Sequence, residues 1–270
     1  PVLAPPERPD AIPGPRRWEV DLEPLIRAPH GRLWRVHSDA VNEALVERWI
    51  PAIARGLALK TDLFDEAMGT GLVPRLEALG FGVVAIDVAP SVRAAAARHR
   101  SLGIVAADVR RLPFAEACFD VIVSNSTLDH FERRDEIAEA LEGLHRVLKP
   151  GGLMLVTMDN LRHPGVALRN ALPHGLLRRL GLVDYPAGAT VGPRGLAAAL
   201  RDAGFDLLHS AAILHCPRAL AVRRARSVER NGSPAGRRRL LQRLARWEAL
   251  ERLPTRSLTA HYVGVLARKP

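Results

Sequence analysis

Residues 64–72, FDEAMGTGL, decide how this chain is interpreted, because an acidic pair is followed there by a Gly-x-Gly step. The apolar residues just before them predict a strand near 58–64. Glycines after a strand let the backbone turn sharply and approach a ligand with no Cβ in the way. A helix that begins there points its first amides at anionic groups. Taken alone, the stretch predicts either a ligand loop or a short glycine turn.

Short apolar strands alternate with helices from this stretch to residue 160. Strands are predicted near 58–64, 82–86, 103–106, 119–124 and 152–158. Helices are predicted between them, near 71–79, 90–100 and 134–147. This repetition predicts a parallel sheet with helices on both faces. The last third predicts a helix over 191–205, a sixth strand over 206–214, arginine-rich helices over 218–252 and a closing strand over 257–269.

The second and third strands of this pattern each lead to a carboxylate. Asp87 ends FGVVAID, and a carboxylate there is able to accept both hydroxyls of a ribose or to cap the helix near Ser91. Asp108 follows the third strand and is able to accept from an adenine amino group, with the amide of Val109 facing a ring nitrogen. An ordinary turn aspartate is the alternative for Asp108.

The fourth strand, FDVIVSN (119–125), runs into a polar cluster at 124–131, SNSTLDHF. Polar side chains that follow a buried strand are held by hydrogen bonds or face a ligand. Farther along, LHRVLKPGGLMLV (144–156) places a Pro-Gly-Gly turn between a helix and the fifth strand.

The order of these motifs is more specific than any one of them. Gly-x-Gly after an acid, the acid that ends strand two, DVRRLPF (108–114), FDVIVSN and RVLKPGGLMLV (146–156) follow one another. In this order they resemble the class I S-adenosylmethionine-dependent methyltransferases, in the small-molecule group related to ubiquinone and menaquinone methyltransferases. The resemblance covers residues 58–160. It implies a Rossmann-like α/β fold: a seven-stranded, mostly parallel sheet with helices on both faces, a last antiparallel strand beside the fifth, an N-terminal lid helix and extra C-terminal helices.

The resemblance also implies S-adenosylmethionine as the cofactor and assigns residues to it. The implied contacts are Asp65, Ala67, Gly69, Thr70 and Gly71 in the loop, Asp87 and Val88 at the ribose, Asp108 and Val109 at the adenine, and Asn125 and Ser126 near the methionine moiety. Ala67 replaces the family's usual first glycine, and a negative φ would let it keep the same backbone path. Lys60, Thr61 and Asp62 are atypical residues for a strand that is buried on both faces.

Candidate residues for methyl transfer follow the fourth and fifth strands or lie in the variable parts of the chain. His130 is the first candidate for a general base, since an imidazole titrates near neutral pH, and Asp129 would orient it or replace it. The alternative for His130 is a solvent-facing residue at a helix start. Candidates for the acceptor pocket are Trp34, His37, Asp159, Asn160, Tyr185 and His215. A structural role is the alternative for Trp34, His37, Tyr185 and His215.

The chain is expected to form one methyltransferase domain over 18–270, preceded by a proline-rich, disordered tail at 1–17. The predicted parts are a helical lid (18–56), the cofactor-binding core (57–160), acceptor-side helices with strand six (161–256) and the closing strand (257–270). In the lid, residues 38–57 predict a helix that Pro51 kinks or splits.

Composition narrows the class of protein. The chain of 270 residues is 47% hydrophobic and 25% charged, as in a globular domain. No apolar run approaches the ~18–20 residues that span a bilayer, and the first residues lack the charged-then-apolar pattern of a leader, so we expect no signal peptide. Only Cys118 and Cys216 are present, which indicates a reducing compartment, and no histidine spacing fits a metal site. We therefore expect a cytoplasmic, metal-free protein of open oligomeric state, monomer or homodimer, that acts on a small-molecule acceptor.

The charge distribution keeps a second function open. Residues 1–160 hold 19 Lys+Arg and 23 Asp+Glu, whereas the remaining 110 hold 20 and 6. Such asymmetry marks a nucleic-acid surface or a solvated arginine-rich face. Between Arg223 and Arg246 there are nine arginines but no aromatic residue for base stacking, so a nucleic-acid methyltransferase is the less favoured alternative. A non-catalytic partner protein of the same fold is another, and Pro74 argues against a nicotinamide site, which normally has a third glycine there.

Overall fold

A computed structural model describes residues 32–99, 101–179 and 188–270. Its centre is a seven-stranded sheet with the strand order β3-β2-β1-β4-β5-β7-β6. The strands are β1 Gly56–Lys60, β2 Phe81–Asp87, β3 Gly103–Ala106, β4 Phe119–Asn125, β5 Leu148–Asp159, β6 Asp206–Ile213 and β7 Tyr262–Arg268.

The sheet is parallel except at its last strand. β1 lies in the middle, and its Lys60 is level with Ala85 of β2 on one side and Val123 of β4 on the other. β7 runs antiparallel between β5 and β6, and its Tyr262 is level with Asp159 of β5. This arrangement confirms the predicted Rossmann-like fold, including the final antiparallel strand beside the fifth.

Helices follow most of the strands and continue in the C-terminal third. They are α1 Arg32–Trp49, α2 Phe64–Met68, α3 Val73–Ala78, α4 Pro90–Ala96, α5 Arg134–Val147, α6 Pro164–Ala171, α7 His174–Arg179, α8 Pro193–Asp202, α9 Arg218–Asn231, α10 Pro234–Trp247 and α11 Arg256–Thr259. Short 3₁₀ turns lie at Leu128–His130 and Glu248–Arg252. Among the described residues, no helix is both long enough and apolar enough to cross a bilayer.

Each face of the sheet has its own hydrophobic core. Leu59 and Ile122 pack with Leu144 of α5 and Leu196 of α8 on one face. Ala58 belongs to the cluster on the other face, which includes buried residues of α1, α3 and α4. Neighbouring residues of β1 are buried on opposite faces because side chains alternate along a strand. Burial of each large apolar side chain contributes about 1.5–3 kcal/mol, which fixes the strand ends in place.

The first strand differs from its predicted bounds. β1 ends at Lys60 and not near residue 64, because Phe64–Met68 forms the short helix α2. Thr61, Asp62 and Leu63 make the turn between the two elements, and the amide of Leu63 donates to Asp87. The atypical residues after β1 therefore belong to a strand end and a turn.

The N-terminal helix also differs from its predicted start. α1, Arg32–Trp49, already includes the six described residues before the expected start at Ser38, and it ends ahead of Pro51. Pro51 therefore follows the helix and does not split it. The predicted tail at 1–17, the lid residues up to 31 and Tyr185 lie outside the described residues. The division into one domain stays a prediction.

Candidate active site

A cavity of about 340 Å³ opens at the edge of the sheet where the parallel strands end. We call it the strand-end cavity. The predicted site residues that line it are Trp34, Asp65, Asp87, Val88, Asp108, Val109, Asn125, Ser126 and His130. The carboxyl edge of an open α/β sheet is where such folds bind ligands. The geometry therefore brings nine of the predicted residues together at one site.

Asp87 ends β2 and holds its carboxylate at the rim of this cavity. The amides of Leu63 and Ala89 donate to its two oxygens at 3.0 and 2.8 Å. Burial raises the pKa of Asp87 to about 6, although these two amides oppose the shift. The two donors fix the carboxylate and leave lone pairs for further hydrogen bonds, as binding to a ribose would require.

Asp108 and Val109 lie at the next strand end along the sheet. Arg110 clamps the Asp108 carboxylate through its Nε and Nη2 at 3.0 and 2.6 Å. The same guanidinium pairs with Glu136 of α5 and stacks over the ring of Phe131, 5.0 Å from its centroid. Such a paired clamp holds the carboxylate in one orientation at the cavity wall.

A chain of polar contacts joins the end of β4 to α1. The Asn125 amide donates to Asp65 at 2.7 Å and accepts from the Thr157 hydroxyl at 2.6 Å. Arg35 of α1 forms an ion pair with the other oxygen of Asp65. Burial opposes ionisation of Asp65, but the charges of Arg35 and Lys60 prevail and lower its pKa. The cavity therefore presents a carboxylate and a guanidinium side by side.

The helix α2 is held by an ion pair in the interior. Lys60 and Glu66 are both fully buried, with Nζ and Oε2 2.9 Å apart. The Leu72 amide donates to the other oxygen of Glu66 at 2.9 Å, and Lys60 also donates to the Asp62 carbonyl at 2.9 Å. Burial favours neutral Lys60, but the nearby carboxylates outweigh it and raise its pKa. Lys60 is thus a cation that ties α2 to the end of β1.

The remaining residues of the predicted loop lie away from the strand-end cavity. Ala67, Gly69 and Thr70 line a separate cavity together with residues of α1 and α4. Gly71 has a φ of +63°, and a Cβ there would come within 2.3 Å of the Glu66 carboxylate. Ala67 lies inside α2. It is not among the described residues with positive φ, which agrees with the negative φ predicted for it. A cofactor role for these four residues stays a prediction.

The polar cluster after β4 divides into a half-buried part that lines the cavity and a fully buried part. His130 lines the cavity, and Ser126 adopts a φ of +54°, a conformation that is costly for a residue with a side chain. Asp129 is buried behind them and accepts from the Ser126 hydroxyl at 2.9 Å and the Asp159 amide at 3.0 Å. Burial and the charge of Asp159 raise the pKa of Asp129.

Four of the predicted acceptor-pocket residues have internal partners and do not line the cavity. Asp159 pairs with Arg169 at 2.6 Å. Asn160 donates to two carbonyls of the 257–260 segment. The ring of His215 contacts the Thr259 hydroxyl and the Ala212 carbonyl, each at 2.8 Å. His37 is buried beside Trp34, with its Nε2 3.5 Å from Glu248.

Several residues that line the cavity were missed as site residues in the sequence. They are Arg35, Asp62, Arg110, Arg218 and Tyr262. Asp62 would have been found by ending the first strand at Lys60, since it then follows a strand end as Asp87 does. Arg110 follows the predicted Asp108 by two residues and would have been found with it. Arg35, Arg218 and Tyr262 carry no local signal, because only the packing of α1, α9 and β7 around the sheet edge brings them to the cavity.

Comparison with known proteins agrees with this geometry. Residues 64–156 match a family model described as a methyltransferase domain. A malonyl-[acyl-carrier protein] O-methyltransferase of Pseudescherichia vulneris is 32% identical over 130 residues, which cover 47% of each chain. The chain thus spans about half the length of the curated relatives it matches.

Solved structures share the fold over most of the chain. The [4+2]-cyclase SpnF superposes with a TM-score of 0.60 at 20% identity, covering 95% of this chain and 94% of that one. Phosphoethanolamine N-methyltransferase 2 of Haemonchus contortus, in complex with S-adenosyl-L-methionine, gives a TM-score of 0.60 at 16% identity, covering 97% of this chain and 61% of the other. At these identities the likeness concerns the fold. The match of residues 64–156 to a methyltransferase domain, together with these relatives, supports an S-adenosylmethionine-dependent methyltransferase.

Proposed function

We propose that this protein transfers a methyl group from S-adenosylmethionine to a small-molecule acceptor in a biosynthetic reaction. The observation that carries the proposal is the pair of fixed carboxylates, Asp87 and Asp108, at consecutive strand ends of one cavity. A nucleoside fits this pair, since Asp87 has lone pairs for ribose hydroxyls and Asp108, at the next strand end, would accept from an adenine amino group. Val88 and Val109 line the same wall.

The methionine part of the cofactor also fits residues of this chain. Asp65 and Arg35 lie side by side at the cavity, so Asp65 would accept hydrogen bonds from an ammonium group and Arg35 would donate to a carboxylate. Asn125 fixes Asp65 from the other side, and Ser126 follows at the β4 end. When bound, S-adenosylmethionine supplies an electrophilic methyl group, and the chain's own task is to align the acceptor and exclude water.

His130 is the proposed base for an acceptor that must lose a proton. It lines the cavity directly after β4, whereas Asp129 is buried behind the cluster and accepts hydrogen bonds from Ser126 and Asp159. Asp129 therefore positions the loop that carries His130. A His130→Gln variant is expected to lower kcat while leaving the affinity for S-adenosylhomocysteine unchanged.

Calorimetry with S-adenosylhomocysteine tests the proposal. The wild type should bind it in the micromolar range, and Asp87→Ala should weaken binding about 100-fold, or about 3 kcal/mol, through loss of charge-assisted hydrogen bonds. Asp120→Ala is the matched control, because Asp120 also accepts a backbone amide, that of Leu57 at 2.9 Å, yet does not line the cavity. A folded wild-type protein that does not bind S-adenosylhomocysteine would falsify the proposal.

A nucleic-acid acceptor is the second candidate, because the helices α9 and α10 expose many arginines. The exposed ones are Arg223, Arg224, Arg230, Arg237, Arg238, Arg239, Arg243 and Arg246. Affinity for RNA and DNA should be measured between low and physiological salt. A generic basic surface loses nearly all of its affinity over this range, whereas a specific nucleic-acid substrate keeps it. We expect the first result.

The small-molecule proposal takes support from the cavity and from one relative's chemistry. The relative from Pseudescherichia vulneris is named for O-methylation of a malonyl group on a carrier protein. By analogy, we propose oxygen or nitrogen as the methylated atom here and carbon as the less favoured choice. A cytoplasmic location, a metal-free reaction and the oligomeric state stay predictions.

A further inference from the structure

The end of the strand-end cavity opposite the two nucleoside carboxylates has a different chemistry. Leu214 follows β6, Arg218 begins α9 and Tyr262 begins β7, and all three line the cavity. From β2 to β7 the sheet order crosses β1, β4 and β5. At ~4.8 Å for each strand spacing, Tyr262 lies roughly 19 Å along the edge from Asp87. This end is therefore available to the acceptor.

Arg218 is the cation at this end. Its Nη1 donates to the Tyr262 hydroxyl at 3.2 Å and contacts Nε2 of His261 at 3.1 Å. Burial, followed by the charge of Arg218, lowers the pKa of His261 to about 3, so the imidazole is neutral and accepts from the guanidinium. The charge of Arg218 also helps to lower the pKa of Asp159, against the effect of burial. The positive charge of Arg218 thus affects the ionisable groups at this end of the cavity.

Apolar side chains lie near Arg218 in this part of the cavity. Trp34 of α1 and Leu214 belong to one buried hydrophobic cluster, and both line the cavity along with the arginine. Pockets for small molecules typically combine such walls with a few fixed polar groups that orient the ligand. A guanidinium beside a phenol hydroxyl offers several donors in a fixed geometry and matches a carboxylate or a phosphate.

We infer that the acceptor carries an oxyanion, a carboxylate or a phosphate, bound by Arg218 and Tyr262, with its apolar part against Trp34 and Leu214. The inference rests on the proposed function, since it names the class of acceptor for that site. It assigns to Arg218 the selection of the acceptor and leaves cofactor binding to Asp87 and Asp108.

Calorimetry with three matched probes tests the inference. Octanoate, octyl phosphate and the neutral octanamide are titrated into the protein with and without saturating S-adenosylhomocysteine. The variants are Arg218→Gln and Tyr262→Phe, and the control is Arg223→Gln, an exposed arginine of the same helix that does not line the cavity. Melting temperature and affinity for S-adenosylhomocysteine are measured for every variant.

The expected result is that at least one anion binds at least tenfold more tightly than octanamide. That preference should disappear in Arg218→Gln, weaken in Tyr262→Phe and remain in Arg223→Gln, with the affinity for S-adenosylhomocysteine unchanged in all three. Whichever anion binds more tightly identifies carboxylate or phosphate. Equal binding of anion and amide, an unchanged preference in Arg218→Gln, or no binding of any probe overturns the inference. Failure of S-adenosylhomocysteine to bind overturns the proposed function instead. In that case the titrations of the three probes without S-adenosylhomocysteine still test whether Arg218 and Tyr262 bind an anion.

Discussion

Two regions of this molecule follow parallel strands and carry carboxylates, but the carboxylates have different surroundings in the two regions. After β1, Glu66 is buried against Lys60, and Gly71 leaves room for its side chain. After β2 and β3, Asp87 and Asp108 line the strand-end cavity. The first region looks in sequence like the ligand loop, but of this region only the carboxylates of Asp62 and Asp65 line the cavity, whereas Glu66 and the glycines do not.

The difference shows that the spacing of glycines in the sequence does not predict whether they contact a ligand or other parts of the protein. Gly69 would place a Cβ 3.0 Å from Asp39 and 3.2 Å from Arg35, both on α1. Gly71 would place one 2.3 Å from Glu66. These contacts are internal, so the glycines let α2 pack against the N-terminal helix and around the buried ion pair. Whether they also approach a cofactor is a separate question, and the two roles are separable by experiment.

The largest expected effect is that of breaking the buried ion pair. Lys60→Met leaves Glu66 as an uncompensated buried charge and should lower the free energy of unfolding by about 3–5 kcal/mol. Urea denaturation measures this loss. The double variant Lys60→Met/Glu66→Leu should recover much of the stability, because it removes both buried charges.

A loss below about 1 kcal/mol in Lys60→Met would contradict this account of the α2 segment. The comparison variant is Lys149→Met, whose partner is Asp120 at 2.8 Å. That pair is partly exposed, with side-chain exposures of 42% and 31%. It should therefore contribute less than about 1 kcal/mol.

The second expected effect separates packing from cofactor binding at Gly71. Gly71→Ala places a methyl group against the Glu66 carboxylate at a φ of +63°. Gly151→Ala is the matched control, since Gly151 has a φ of +76° and open space around its Cβ position. The left-handed conformation should cost each variant about 1 kcal/mol, and the steric overlap should cost Gly71→Ala about 2 kcal/mol more.

The folded fraction of Gly71→Ala should bind S-adenosylhomocysteine as the wild type does if the glycine serves packing. Calorimetry on the folded variant at low temperature measures this, and urea denaturation measures the stability of both variants. A tenfold loss of affinity at unchanged stability would instead place Gly71 at the cofactor, as the sequence predicts.

The sheet could be predicted from the sequence because β2 to β5 are short apolar runs, and each is recognised from its own residues alone. It predicted Asp87, Asp108 and Asn125 at the cavity because each directly follows such a strand. It missed the end of β1, because a fully buried Lys60 does not look like part of a central strand until its partner Glu66 is known. It also missed Arg218, since contacts across the sheet edge have no local pattern.

The third expected effect concerns pH and sharpens the role of Asp87. Its pKa of about 6 is raised by burial, so the unliganded protein gains stability from this group at low pH and loses it as pH rises through about 6. Ribose hydroxyls donate to the ionised carboxylate, so ligand binding has the opposite dependence. The affinity for S-adenosylhomocysteine should therefore fall about tenfold between pH 7 and pH 5.

Calorimetry between pH 7 and pH 5 measures this loss of affinity, and two variants show which carboxylate causes it. Asp87→Asn should bind weakly with a flat profile, because its side chain does not titrate. Asp39→Asn should keep the wild-type profile, although burial and Asp65 raise the pKa of Asp39 to about 7, because Asp39 lines the separate cavity beside α2. If the affinity instead becomes independent of pH in Asp39→Asn, the titrating group is Asp39, at the contact between α1 and Gly69. In that case the stretch after β1, and not the end of β2, controls the cofactor site.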